Sequence, residues 1–220
     1  MGSPSRLAVF DLDGTITRRD SFLPYVFGFL VRHPLRVLRM VIALPAAIGY
    51  LLGLCGRGAL KSALIRASLG GVTRAQLTRW NLHYVPRLLA DGLFPDALQA
   101  IARHRAAGDM LVLMSASPDL YVPEVARRLG FAQVICTEVR WQEECVDGQL
   151  VTLNRRGNEK TRCLEALRAS HPGLPVTAYG NSDSDLPHMS CAESAVLVNG
   201  DRKARRNRTQ FSGIRTVEWR

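Results

Sequence analysis

The sequence predicts a doubly wound α/β domain interrupted by a helical insertion. Three observations predict it. Short, continuously apolar runs recur at 7–10, 110–114, 133–137, 175–179 and 195–198. Runs of that length suit strands buried on both faces of a parallel sheet. Amphipathic stretches at 96–107, 118–129 and 158–170 lie between them, which is the alternation of a β-α-β chain. The stretch 21–89 lacks strand signals and is rich in Leu, Ala, Val and Arg. It reads as several helices forming a cap, with residues 1–20 and 90–220 making the core domain.

The elements follow in order. The first strand, Leu7-Ala8-Val9-Phe10, comes after six short, polar residues, so no secretory signal is expected. It exits into Asp11-Leu12-Asp13-Gly14-Thr15. Within the cap, residues 40–56 form a run of 17 without charge, flanked by Arg32, Arg36 and Arg39 before it and Arg57 and Lys61 after it. A spanning helix needs about 20 apolar residues, and Pro45, Gly49 and Gly53 weaken this one. The favoured reading is a helix buried in the cap bundle. An interfacial helix whose arginines meet lipid headgroups is the alternative.

The second strand exits through Ser115-Ala116-Ser117, and Pro118 is expected to start the helix behind it. Gly108 and Gly130 stand where the first two core helices should stop. At 139–153, Asp147-Gly148 between β-prone flanks signals a hairpin, expected to add an antiparallel ribbon to the sheet. Lys160 falls in the first turn of the helix 158–170. The fourth strand exits into Gly180-Asn181-Ser182-Asp183-Ser184-Asp185.

Composition bounds the function. The chain has 220 residues, 47% of them apolar and 22% charged, which excludes a disordered tail and a collagen-like chain. Five cysteines with no C-x-x-C pair argue against a disulfide framework and a structural zinc site. Lys and Arg number 29 against 19 Asp and Glu, a net charge of +10. Such a surface attracts anions. The basic segment 202–208 reads first as a solvated helical face, then as a membrane contact. Nucleic acid comes last, because no recognised binding module accompanies the segment.

The chemistry lies at the strand ends, where open α/β sheets bind ligands. Asp11 and Asp13 stand two apart, so both carboxylates can face the same way. Two carboxylates this close repel unless a cation sits between them, and Mg²⁺ suits an oxygen-only site. Ser115 with free amides is a candidate anion site. Taken singly, each motif has a bland explanation: a polar turn, a helix cap, a solvated lysine. Their joint occurrence at one edge of one sheet is the informative fact.

This ordered set resembles the haloacid dehalogenase-like phosphatase superfamily over nearly the whole chain. Asp11-Leu12-Asp13-Gly14-Thr15 is similar to its first motif, Ser115 to its second, Lys160 to its third and Gly180–Asp185 to its fourth. The insertion is similar to the cap of the phosphoserine phosphatase branch. The apolar run and Tyr179-Gly180-Asn181-Ser182 resemble the group containing phosphatidylglycerophosphatase C.

The resemblance implies that Asp11 attacks phosphorus and forms an aspartyl-phosphate. It implies that Asp13 serves as acid and then base, and that Ser115, Ala116, Gly14 and Lys160 hold the phosphoryl group. Mg²⁺ would be bound by Asp11, the Asp13 carbonyl and the fourth-motif loop through Asn181, supported by Asp185. The family usually has Asp where this chain has Asn181, which implies weaker metal binding. Asp183 could compensate only if the loop shifts by two residues. Asp20 lies where phosphoserine phosphatases read the substrate amine, although helix capping is its favoured role here.

The implied substrate is a phosphomonoester, favoured as a lipid phosphate such as phosphatidylglycerophosphate at the cytoplasmic face of the inner membrane. A soluble phosphatase of phosphoserine or histidinol phosphate in the cytoplasm is the first alternative. A catalytically silent binding module of the same fold is the second.

Overall fold

The computed structural model describes residues 4–211 and 213–220. Expectations that touch Met1–Ser3 or Ser212 lie outside these residues.

Six parallel strands form the central sheet. They are β1 (Leu7–Phe10), β2 (Met110–Pro118), β3 (Gln133–Thr137), β6 (Val176–Gly180), β7 (Ser194–Val198) and β8 (Ile214–Val217), in the order β3-β2-β1-β6-β7-β8. Strand β8 carries two exposed arginine and threonine side chains and had no apolar run to announce it. Every residue of β1 is buried, because both faces of the sheet are covered. On one face Leu7, Val9, Val112 and Met114 pack against Leu164 and Leu167 of α7 (Asn158–Ser170). On the other, Ala8, Phe10, Leu111 and Leu113 meet α5 (Pro95–Ala106) and α6 (Val122–Leu129). Phe10 stacks on Tyr179 of the neighbouring strand at 4.2 Å between ring centres.

This order places a topological switch beside β1: the chain moves outward through β2 and β3, then crosses to β6 on the other side. In register, Phe10 pairs with Leu113 and with Tyr179. The exits of β1, β2 and β6 therefore lie side by side at one carboxyl edge.

The insertion is helical, as expected. It runs through α1 (Phe22–Arg32), a 3₁₀ segment (Pro34–Ala43), α2 (Leu44–Leu51), α3 (Arg57–Leu69) and α4 (Arg74–Asp91). A capping box of Thr73 with Gln76 starts α4. Tyr25, Trp80, Tyr84 and Tyr121 form an aromatic cluster joining cap to core, with Tyr25 stacked on Tyr121 at 4.5 Å. The outgoing and returning chains run together: Arg18 N–H donates to Gly92 O and Phe94 N–H to Ile16 O.

Three expectations need correction. The hairpin exists as β4 (Val139–Gln142) and β5 (Cys145–Leu150), but it forms its own two-stranded sheet. It is stitched to the cap by Gly71 N–H donating to Val146 O and Val146 N–H to Val72 O. Its turn is Glu143-Glu144, with Glu143 at φ +53. Asp147-Gly148 lies inside β5 instead, where a Cβ on Gly148 would sit 2.7 Å from the Arg66 backbone. That glycine serves close packing of strand on helix rather than a turn.

Second, Pro118 ends β2 and does not start a helix; α6 begins at Val122 with Pro123 in its first turn. Ser115 therefore lies inside β2, before its end, with no helix N-terminus directly behind it. Third, the apolar run of the cap is not buried. It is split between the 3₁₀ segment and α2, and α2 has no buried residue. By length and composition the stretch Pro34–Leu51 could cross a membrane, and only 6% of it is buried. The other cap helices turn their buried faces to the aromatic cluster and the hairpin, so among the described residues nothing covers it.

Candidate active site

The site begins with the exit of β1. Gly14 takes φ +81, a conformation that side chains resist. A Cβ there would also lie 2.1 Å from Asn181 Nδ2. The two strand exits therefore touch at this glycine. Gly14→Ala is expected to cost about 1–3 kcal/mol through backbone strain and to displace Asn181. An unchanged urea midpoint for this variant would contradict the contact.

All the residues expected at the site line one cavity of about 460 Å³, with the exception of Ser115. At its floor Lys160, 2% exposed, donates from Nζ to Asp11 Oδ1 and Asp185 Oδ1, both at 2.6 Å. The first-turn lysine of α7 is thus a buried ion-pair partner and not a solvated side chain. Burial works to lower its pKa, but the two carboxylates more than offset this and hold it above the usual lysine range. Asp11 is pushed up to about 7: burial and the neighbouring Asp185 and Asp13 raise it, against the pull of Lys160.

Asp185 is the hub of the fourth-motif loop. Its Oδ2 accepts from the Asn181 and Ser182 amides and from the Ser182 hydroxyl, while Oδ1 accepts from Lys160. Burial alone would raise its pKa, yet Lys160, His188 and the Ser182 hydroxyl hold it below the usual carboxylate range. With both oxygens engaged, it fixes the loop and aims the lysine. Asp183 is turned away. Its carboxylate takes Asn207 Nδ2 at 2.7 Å and Lys203 Nζ at 2.8 Å, and it does not line the cavity. No register shift brings it in to replace Asn181. The same contacts tie part of the basic segment to the core, through the short helix Arg202–Asn207.

Asp13 faces the other wall. Ser21 donates to Oδ1 from its amide at 2.7 Å and its hydroxyl at 2.5 Å, and the Ser117 hydroxyl donates to Oδ2 at 2.5 Å. Burial raises its pKa, and these bonds restrain the rise. A carboxyl raised in this way holds a proton more readily than a free one, as a general acid must. Ser115 is fully buried, and its Oγ accepts the Ser117 amide at 3.0 Å. Its hydroxyl proton remains free to donate. Asp20 caps α1 by accepting the Leu23 amide at 2.9 Å, and its carboxylate also reaches the cavity rim.

Sequence reasoning missed Ser117, Ser21 and Lys61. Lys61 extends from α3 across to the core, donating to Ala116 O and to Asn154 Oδ1, the latter at 2.7 Å. Its pKa falls to about 8, through burial first, with Arg156 and Arg57 adding to the effect and Asp13 and Asp20 opposing it. Ser117 had a legible signal, since it lies two residues beyond Ser115 on the same strand exit. Lys61 had none, being one base among many in a helix fifty residues from the first motif.

Asp11, Asp13 and Asn181, all of which line the cavity, offer oxygen donors. Asp11, Asp13 and Asp185 crowd negative charge around a single buried lysine. A hard divalent cation such as Mg²⁺ fits that donor set.

A model of the haloacid dehalogenase-like hydrolase family matches residues 8–190. Protein CicA of Caulobacter vibrioides is 34% identical over 196 residues, covering 88% of this chain and 86% of that protein. Phosphoserine phosphatase SerB1 of Mycobacterium tuberculosis is 27% identical over 209 residues, covering 90% of this chain and 66% of that one. Among solved structures, a Bordetella pertussis protein of unknown function superposes with a TM-score of 0.81 at 21% identity, over 98% of this chain and 99% of that one. A phospho-aspartyl intermediate analogue of phosphoserine phosphatase gives a TM-score of 0.65 at 12% identity, over 97% and 94%. At these identities the structural matches speak for the fold.

Proposed function

The chain belongs to the haloacid dehalogenase-like hydrolase family, as a phosphatase related to the phosphoserine phosphatases, and we propose that it works through a Mg²⁺-dependent aspartyl-phosphate. The observation that carries this reading is Asp11 bonded to Lys160 in a cavity that Asp13 also lines. An oxygen of Asp11 forms a bond to phosphorus as the ester oxygen leaves. Asp13 gives its proton to the leaving alkoxide. Asp13 then takes a proton from water, which attacks the phosphorus of the acyl phosphate and frees Asp11. Lys160 neutralises Asp11 and the transferring oxygens. Ala116 and the open backbone at Gly14, both lining the cavity, hold a phosphoryl oxygen, with Ser115 behind them accepting the Ser117 amide. Asp185 keeps Lys160 and the loop in place.

Asp11, the carbonyl of Asp13 and Asn181 would hold Mg²⁺. When bound it offsets the repulsion between the carboxylate and the phosphate dianion. Asn181 offers a carbonyl oxygen without charge, and ligand charge tunes affinity in such sites. Asn181→Asp is therefore expected to bind Mg²⁺ about tenfold more tightly, read by titration calorimetry and by the metal concentration giving half-maximal rate. Equal affinity would remove Asn181 from the ligand set.

For substrate we favour a phosphorylated lipid at the cytoplasmic membrane face, supported by the exposed apolar cap. A small zwitterionic phosphate is the second reading, favoured by Asp20 and Arg57 both lining the cavity. Purified protein should release phosphate from an aryl phosphate with Mg²⁺ and stop when EDTA is added. No release under any divalent cation would end the proposal. A comparison of phosphatidylglycerophosphate with phosphoserine then separates the two substrates.

A further inference from the structure

Large apolar side chains are normally exposed singly, scattered over a surface. Here they are concentrated. Of seventeen exposed large hydrophobics among the described residues, thirteen lie between Leu23 and Leu54. Leu23, Phe27 and Val31 recur every four residues on the outer side of α1, whose inner side is buried on the aromatic cluster. Leu35, Leu38, Leu51 and Leu54 are each more than three quarters exposed. The 3₁₀ segment packs on α1, α2 and α3, so these side chains belong to adjoining elements of one cap.

Charge identifies what covers this face. From Ser21 through Ala90 there is no Asp or Glu, against eight Arg and one Lys. A second copy meeting the face through a two-fold axis would set these like charges against each other. An anionic lipid surface instead supplies both an apolar interior and negative headgroups.

We propose that the outer face of the cap docks on an anionic lipid bilayer and lies in its interface. It does not span, because the run is clamped down along α3. Arg36 donates to Ser68 O and Gly70 O at 3.2 and 3.0 Å, and Arg39 to Gly70 O at 2.8 Å. These two arginines, expected from sequence to meet headgroups, spend part of their donors on the C-terminal carbonyls of α3. Arg32 and Arg57 remain exposed at the two ends of the run. The docked elements also carry the cavity, since Phe22 of α1 and Arg57 and Lys61 of α3 line it. Docking therefore sets the cavity close to the headgroups. That consequence rests on the lipid-phosphate reading, whereas the docking itself does not.

The test is flotation of the full chain with vesicles. Wild type should float with vesicles of equal phosphatidylglycerol and phosphatidylcholine, and at least tenfold less with phosphatidylcholine alone. The double variant Leu38→Glu, Leu51→Glu should lose at least tenfold in flotation while hydrolysing a soluble aryl phosphate at the wild-type rate. Both residues are exposed and far from the catalytic groups in sequence, and circular dichroism reports that the fold is kept. Equal binding to both vesicle types, no binding, or undiminished binding by the double variant overturns the proposal. So does a vesicle-free dimer that the same variant dissociates, which would assign the face to a second copy. If aryl phosphatase activity is absent while the flotation pattern holds, the catalytic reading fails and the docking stands.

Discussion

Asp11→Asn is expected to abolish phosphate release, lowering kcat by on the order of 10⁴-fold or more, while raising thermal stability in metal-free buffer. The loss follows from removing the attacking oxygen: an amide is a poor nucleophile and carries no charge. The gain in stability comes from the same residue. In the folded protein Asp11 is pushed up to about 7, by burial first and then by Asp185 and Asp13, with Lys160 only partly opposing. Unfolded, it titrates near 3.9. Between those values the folded state holds the extra proton, so this group's contribution to stability falls as pH rises from about 4 to about 7. Above that the penalty is complete.

Asparagine removes both the penalty and its pH dependence. Each kcal/mol relieved should raise Tm by about 2–4 °C in a chain of this size. Adding Mg²⁺ to wild type should narrow the gap, because the cation supplies the missing positive charge. The measurement is a pair of melting curves at pH 8 in EDTA and in Mg²⁺, beside a phosphate-release assay. An active Asp11→Asn enzyme would refute the nucleophile assignment. A variant less stable than wild type in EDTA would refute the charge-crowding argument.

Lys160→Met should be the most destabilising single change in the cavity. Methionine nearly conserves the length of the side chain, so packing is roughly kept. What disappears is the buried cation shared by Asp11 and Asp185. Removing one partner of a buried ion pair typically costs about 3–5 kcal/mol, because the remaining charge is left without compensation. Asp185 loses the lysine that holds its pKa down, and Asp11 loses the group that lowers its own most. Both carboxyls should then take up protons more readily when folded. The variant's deficit against wild type should accordingly shrink as pH falls from 8 to 5, which urea midpoints at the two pH values would report. Its rate at pH 7 should drop by about 10²–10⁴-fold, since the phosphoryl oxygens lose a positioned cation. A deficit independent of pH would mean that the lysine matters for packing and not for charge.

Much of this arrangement was legible in consecutive residues. The apolar runs located five of the six strands of the central sheet, and the motifs at their ends supply the carboxylates, Lys160 and Asn181 that line the cavity, whereas Lys61, Arg57, Asn154 and Arg156 come from elsewhere. Such features are local: a buried parallel strand needs an apolar run, and a sharp exit needs a glycine such as Gly14. The misses are instructive in the same terms. Asp147-Gly148 looked like a turn because a glycine is locally permissive, but its purpose is close approach to Arg66, a partner eighty residues away. Pro118 looked like a helix start, yet the strand continued to it because β3 was there to pair with it.

The sequence by itself determined where five strands lie, which chemical groups follow them, and that a helical cap without strands is inserted after the first. Only the tertiary structure decided that Lys160 is buried between two carboxylates, that Lys61 crosses from cap to core, and that the apolar run lies on the outside. Backbone preference is settled by near neighbours, so it can be read along the chain. Burial and ionic partners depend on how much other surface is left to cover a group. That quantity exists only once every element has been packed.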